Sequence, residues 1–272
     1  MSATLPPSTA AASAPVPNLI AQAPSDYPQT LGDLLTIRGS STKQAKQSNL
    51  DKIRKAAIEE ASEIFGAQSG YCSEIKSYDL DVVAHQDTLQ KVFNFGSIML
   101  DGGRVLPPII EQEDQTFYTS GSKYAVTTQK VWKIVQDPMI VSAAPDWRQY
   151  LYLTCTPPNR PNALLLPVSA SDVDAWTEGA KKGWAAGVKQ AQLAEKLGLH
   201  RLTRDYAGML EFYKLYERNL VSAPILATGH TAVVLNGHTM SVGQTIFRLT
   251  ATTGFNAEHA AKTLGSQVQT TP

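Results

Sequence analysis

The sequence predicts an α+β fold: amphipathic helices packed on short antiparallel strands, with a long glycine-containing helix pair and a C-terminal β-hairpin. Three stretches carry this expectation. Helical periodicity runs from Ser169 towards Leu220, "KYAVTTQKVWKIV" is β-branched and partly alternating, and "TAVVLNGHTMSV" places Asn-Gly between two alternating runs.

Residues 1–25 carry no charge and are broken by Pro6, Pro7, Pro15, Pro17 and Pro24, so 1–26 reads as a flexible tether. A single globular domain is expected over 27–262, followed by an uncharged, disordered tail over 263–272. The first clear helix starts at an Asn49 N-cap. Leu50, Ile53, Ala57, Ile58, Ala61, Ile64 and Phe65 repeat at helical spacing, and the helix is expected to end near Gly66. A second helix is expected from Asp79 to Met99, stopping at Asp101-Gly102-Gly103. Pro107 and Pro108 then forbid helix, and Val105 to Tyr152 reads as short strands and loops. "AAPDWRQYLYL" fits a short helix or a strand.

Ser169 with Asp172, or Ser171 with Asp174, has the spacing of a capping box. An unbroken helix from there to Leu220 would be about 75 Å long, so a break or sharp bend is expected at Gly198. Asn236 and Gly237 are expected to supply the two positive-φ residues of the hairpin turn, with His238 facing Leu235. "TIFRLTA" reads as a further strand nearby.

The segment "DAWTEGAKKGWAAGVKQAQ" sets Gly179, Gly183 and Gly187 four residues apart inside a helix. Three such glycines cost roughly 3 kcal/mol relative to alanine, so packing must return that energy. At about 100° per residue they share a face with Trp176, Ala180, Ala191 and Ala194, and Trp184 lies at its edge. This face reads as a helix-packing groove. The aromatic stripe beyond it, including Tyr206, Phe212, Tyr213 and Tyr216, reads as core, with a partner-binding groove as the alternative.

Lys plus Arg and Asp plus Glu both total 24, and no basic block is interleaved with aromatics, which argues against direct nucleic-acid binding. No apolar run reaches the roughly 18 residues of a membrane-spanning helix. Cys72 and Cys155 are too few for a disulfide framework; they read as two separate buried thiols or as one disulfide. No phosphate loop, dinucleotide fingerprint or G-x-S-x-G is present, and His85, His200, His230, His238 and His259 read as lone surface residues, so no metal or cofactor is expected. The S-x-x-K spacing occurs at Ser40-Lys43, Ser73-Lys76 and Ser120-Lys123 without a K-T-G companion. Asp79 with Asp81, and Asp172 with Asp174, fit loops and helix starts better than paired catalytic carboxylates. The residues alone therefore describe a non-catalytic domain on a tether.

Taken in order, "VFNFGSIML", "VLPPII", "VSAAPDWRQYL", "LLLP", "GWAAGVKQA", "RLTRDYAGM" and "NLVSAP" resemble the DotC family of type IVB (Dot/Icm-type) secretion and conjugation systems, over about residues 49 to 254. The resemblance implies a non-enzymatic lipoprotein at the periplasmic face of the bacterial outer membrane. It implies a structural and assembly role in a multi-copy core complex, with a DotD-like lipoprotein and a DotH-like channel protein that it helps to localise. It also implies a signal peptide and a lipid-modified cysteine at the start of the mature chain. The first cysteine here is Cys72, beyond the first amphipathic helix, and cannot be that residue. The tether and exposed loops at Pro107-Pro108 and Asp146-Trp147 are the expected partner contacts. On that expectation, Trp147→Ala weakens complex entry without unfolding the domain. The competing reading is a periplasmic cell-wall hydrolase using an S-x-x-K serine.

Overall fold

A computed structural model of the chain describes residues 27–39, 48–120 and 124–265. Six helices are described: α1 (Leu31–Thr36), α2 (Ser48–Ala84), α3 (Gln86–Val92), α4 (Arg148–Leu151), α5 (Ala170–Glu217) and α6 (Ala257–Gly265). The strands are β1 (Val105–Leu106), β2 (Ile109–Ser120), β3 (Tyr124–Gln136), β4 (Met139–Ile140), β5 (Ile225–Asn236) and β6 (Thr239–Ala251). They form three two-stranded antiparallel sheets, β1 with β4, β2 with β3 and β5 with β6. The architecture is α+β. The tether 1–26 and residues 266–272 lie outside the described residues, whereas residues 263–265, expected in the tail, close helix α6.

The described residues divide into two compact units, one of residues 27–39 and 48–70 with 156–187 and one of residues 71–120 and 124–155 with 188–265. The first is built around Leu34, Ile58, Phe65, Leu166, Trp176 and Ala180. The second holds two clusters. Phe95, Ile98, Trp147, Leu151, Leu202 and Met209 belong to one, and Ile110, Phe212, Leu215, Leu220 and Val221 to the other. On the aromatic stripe of α5, Phe212 is core and Tyr206 and Tyr213 pack partly buried against these clusters, whereas Tyr216 is exposed.

Helix starts follow their capping residues. Thr30 caps α1 by accepting from the Asp33 N–H at 3.1 Å, while the Asp33 carboxylate accepts from the Thr30 N–H at 3.1 Å. At the start of α5 the capping box is Ser169 with Asp172: the Asp172 N–H donates to Ser169 Oγ at 3.1 Å and the Ser169 N–H to Asp172 Oδ2 at 3.2 Å.

Four expected helix boundaries are corrected. Asn49 lies inside α2 rather than capping it, and no single helix runs from Asp79 to Met99, since Asp79 belongs to α2 and α3 ends at Val92. α2 does not end near Gly66 but continues to Ala84, because Gly66 and Gly70 lie against α5. α5 does not break at Gly198; it is continuous over 48 residues. A Cβ at Gly198 would sit 2.6 Å from the Tyr150 carbonyl oxygen, so this glycine permits a close approach rather than a bend. The length objection lapses because α5 contributes residues to both units.

The strands between Val105 and Tyr152 are not all short, since β2 and β3 have 12 and 13 residues. "TIFRLTA" is not a separate strand but the second half of β6. The hairpin register is also shifted from expectation. Asn236 pairs with Thr239 and Leu235 with Met240, so Gly237 and His238 form the turn. Gly237, at φ +49°, supplies the left-handed position, which a Gly-X turn needs at its first central residue.

Candidate interaction surfaces

The glycine row of α5 forms a packing groove filled by α2. In the first unit α2 and α5 run side by side in parallel, with Arg54 beside Asp172 and Glu63 beside Lys182. A Cβ at Gly179 would collide with the Glu59 carbonyl and Ser62 Oγ, and one at Gly183 with the Glu63 carbonyl. From the other side, a Cβ at Gly66 would lie 2.7 Å from the Ala180 oxygen, and one at Gly70 2.7 Å from the Trp184 oxygen. Both helices thus present bare backbone to each other, and Gly187 is buried on the same row. Trp176 is fully buried and donates its indole N–H to the Leu34 carbonyl at 3.0 Å. Trp184 packs half-buried beside it. This groove is closed by the chain's own helix and offers no free surface.

The expected contact loops are corrected as well. Pro107 and Pro108 are buried, between Leu106 and Ile109 of the core. Trp147 is fully buried, donates its indole N–H to Gln90 Oε1 at 3.2 Å, and lies under the Arg148 guanidinium at 4.2 Å. Asp146 alone of the four is partly exposed. It caps the following turn by accepting from the Arg148 N–H at 2.8 Å and pairs with the Arg148 guanidinium at 3.1 Å. An aromatic residue after a Pro-Asp turn fits a docking loop and a core anchor equally, and only its neighbours decide.

Sequence reasoning missed a polar knot at the mouth of α5. Arg54 reaches from α2 to donate to the Leu164 carbonyl at 2.6 Å and to Asp172 Oδ2 at 3.3 Å. Burial would push the Asp172 carboxyl up, but the Ser169 and Val168 N–H groups and the Arg54 charge outweigh it and hold the carboxyl below its usual range. The i, i+3 spacing of Ser169 and Asp172 signalled the cap; nothing in the sequence signalled Arg54.

A second polar group lies beside the cysteines. Cys72 and Cys155, left open between thiols and a bridge, form a disulfide with Cα atoms 5.3 Å apart. Nearby, burial pushes the Asp79 carboxyl up to about 6 despite a hydrogen bond from the Leu153 N–H, and one of its oxygens has no protein partner. Glu195 is raised too, by burial first and then by the charges of Glu74 and Asp79. Burial also pushes the Tyr150 phenol up to about 12, with the Asp205 charge and hydrogen bond adding to it, so Tyr150 stays protonated in its cleft. Among the described residues no cluster of three His, Cys, Asp or Glu side chains could hold a metal ion. No described helix is long and apolar enough to cross a membrane.

Of the S-x-x-K motifs, Ser40-Lys43 and Lys123 lie outside the described residues. Ser73 lies in the interior of α2. His238 occupies the hairpin turn, and His230 lies opposite Thr245 on the ribbon.

A family profile described as type IV secretory system, conjugal DNA-protein transfer (T4SS_TraI) matches residues 52–262. The chain belongs to this family. The match runs from the first full turns of α2 through most of α6 and takes in both units. The chain is therefore a component of a type IV secretion and conjugal transfer system, of a family that assembles with other secretion-system components. A search of curated proteins gives no match.

Proposed function

We propose that this chain is the DotC-like member of its type IV secretion system: a non-catalytic assembly subunit at the periplasmic face of the outer membrane. In this reading it acts with a DotD-like lipoprotein and a DotH-like channel component, and helps the latter reach the membrane. The observation that carries the reading is the family match over 52–262, joined to the ordered DotC-like motifs within the same span. The Cys72–Cys155 disulfide supports the compartment, because such bonds form and persist in oxidising spaces such as the periplasm. The burial of Trp147, Trp176 and the paired glycines supports a scaffolding role, since the motif residues are spent on rigidity.

Isolation of the tagged chain from detergent-extracted membranes of a conjugating host, followed by mass spectrometry, tests this. A large particle containing DotH-like and DotD-like proteins, and loss of DotH-like protein from the outer membrane when the chain is deleted, is the expected result. Recovery of the chain alone from the cytoplasm, with its cysteines reduced, overturns it.

A further inference from the structure

Three contacts between α2 and the chain leaving α4 fall in register, all within the second unit. Cys72 is bonded to Cys155, the Asp79 carboxyl accepts from the Leu153 N–H, and Val82 shares a buried cluster with Leu151. Positions 72, 79 and 82 lie on one face of α2, together with buried Ile75. Their partners descend as they ascend, so residues 151–155 run antiparallel along that face. The spans agree: ten helical residues rise about 15 Å, and four extended residues reach about 14 Å. Residues 152–155 accordingly have no helix or strand of their own.

The two polar holds answer to different conditions. The disulfide answers to thiols. A dithiol reductant attacks Cys155, which is partly exposed where Cys72 is buried, and Cys72 leaves as the thiolate. The reductant's second thiol then displaces Cys155, so each cysteine gains one of the two protons the reductant gives up and the reductant departs as its own disulfide. The Asp79 hold answers to protons. Burial lifts its carboxyl to about 6, so ionisation above that leaves a poorly solvated charge beneath residues 153–155. The titratable and charged groups around this site are Tyr78 and Glu74 of α2 and Glu195 and Lys196 of α5, while residues 152–156 add no charge. Glu195 is raised as well and acts with the same sign.

We propose that Tyr152–Cys155 is a strap latched onto α2 by the Cys72–Cys155 bond, that reduction frees it as a local unit while the helices and sheets stay folded, and that Asp79 sets how readily it recloses. Leu151 anchors the other end, because it is buried in one cluster with Val82, Trp147 and Leu202, so opening begins at the cysteines. In an oxidising space the strap stays shut. In contact with a dithiol at neutral pH it opens and uncovers the Ile75 side of α2. The Asp79 contribution to closure is present below the ordinary carboxyl value and is lost as pH rises through about 6. With 3.8 for the freed carboxyl, closure weakens about tenfold between pH 5 and pH 8. The proposal concerns the second unit by itself and stands whether or not the DotH-like and DotD-like partners are correct.

The test is hydrogen exchange on the purified full chain, oxidised and reduced with a water-soluble phosphine, at pH 5 and pH 8. Protection factors are compared between residues 153–155 and strands β2 and β3. Reduction is expected to lower protection of the strap at least tenfold more than that of β2 and β3, and the reduced strap is expected to lose about a further tenfold from pH 5 to pH 8. Asp79→Asn is expected to remove the pH step and keep the redox step. Cys72→Ala/Cys155→Ala supplies the unbridged state without a reductant and is expected to match the reduced chain. A strap that loses no more protection than β2 and β3 overturns the proposal, because the bridge then stabilises the whole unit rather than latching one segment; unfolding of the entire reduced unit counts the same way. A pH step that survives in Asp79→Asn overturns the role given to Asp79.

Discussion

Trp147 shows how one side chain can be fixed by its surroundings. Its ring is fully buried in the core of the second unit, edge-on to Tyr152, and its indole N–H is matched by Gln90. Trp147→Ala leaves a large cavity where the ring was fully buried, so a loss of about 3–5 kcal/mol is expected. Urea denaturation monitored in the second unit measures it; a loss below about 1 kcal/mol would return Trp147 to the surface role its sequence context suggested. Asp79 acts in the opposite sense. Its folded pKa, about 6 against an ordinary 3.8, means that the folded state binds the proton more tightly. Its contribution is therefore fully present below the unfolded value and lost as pH rises through about 6. Glu195, raised beside it, adds the same sign. The urea midpoint of the second unit is expected to rise when pH falls from 7 towards 5, and Asp79→Asn, which keeps an acceptor for the Leu153 N–H, flattens that rise. An unchanged slope in the variant shows that the titration lies elsewhere.

Helix α5 carries the argument at the next scale. In an ordinary exposed helix, Gly→Ala gains about 1 kcal/mol. At Gly183 the sign reverses, because the new Cβ meets the Glu63 carbonyl, a backbone atom that cannot swing aside. Gly183→Ala is expected to destabilise the first unit by about 1–3 kcal/mol, the range for overpacking. Hydrogen exchange in α2 and α5 reads this out, and faster exchange confined to 54–70 and 172–187 is the expected pattern. Protection equal to wild type would mean that the helices part easily. The glycine row of α5 was legible as a buried face because its spacing matches a helical turn. Its partners Gly66 and Gly70 were not, since one glycine after an amphipathic run has the same appearance at a helix end and at a helix crossing. Gly198 misled for the same reason. The hairpin was legible from Asn-Gly, but its register was not, because Asn236-Gly237 and Gly237-His238 both make acceptable turns and the pairing of Asn236 with Thr239 decides between them.

For the molecule as a whole, sequence periodicity gave the helices and strands but not their division into two units. α2 and α5 each contribute to both, and no composition shift marks the boundary at 70–71 or 187–188. The disulfide was equally out of reach, since two cysteines 83 residues apart meet only through the tertiary fold. It joins positions near the two ends of the 71–155 segment of the second unit and closes nearly all of that segment into one loop. A loop of that length removes unfolded-state entropy equivalent to about 4.5 kcal/mol in the chain-entropy account. Cys72→Ser/Cys155→Ser is accordingly expected to lose about 2–4 kcal/mol. A single melting temperature is a poor reporter of two units, so region-resolved hydrogen exchange is the measurement. Protection should fall across the second unit, in α3, β2, β3 and the 188–217 part of α5, while the Trp176 cluster of the first unit keeps its own. Equal loss in both units would show that they unfold as one cooperative body. No loss in either would show that the bridge adds nothing that packing around Ile75, Leu151 and Leu202 does not already supply.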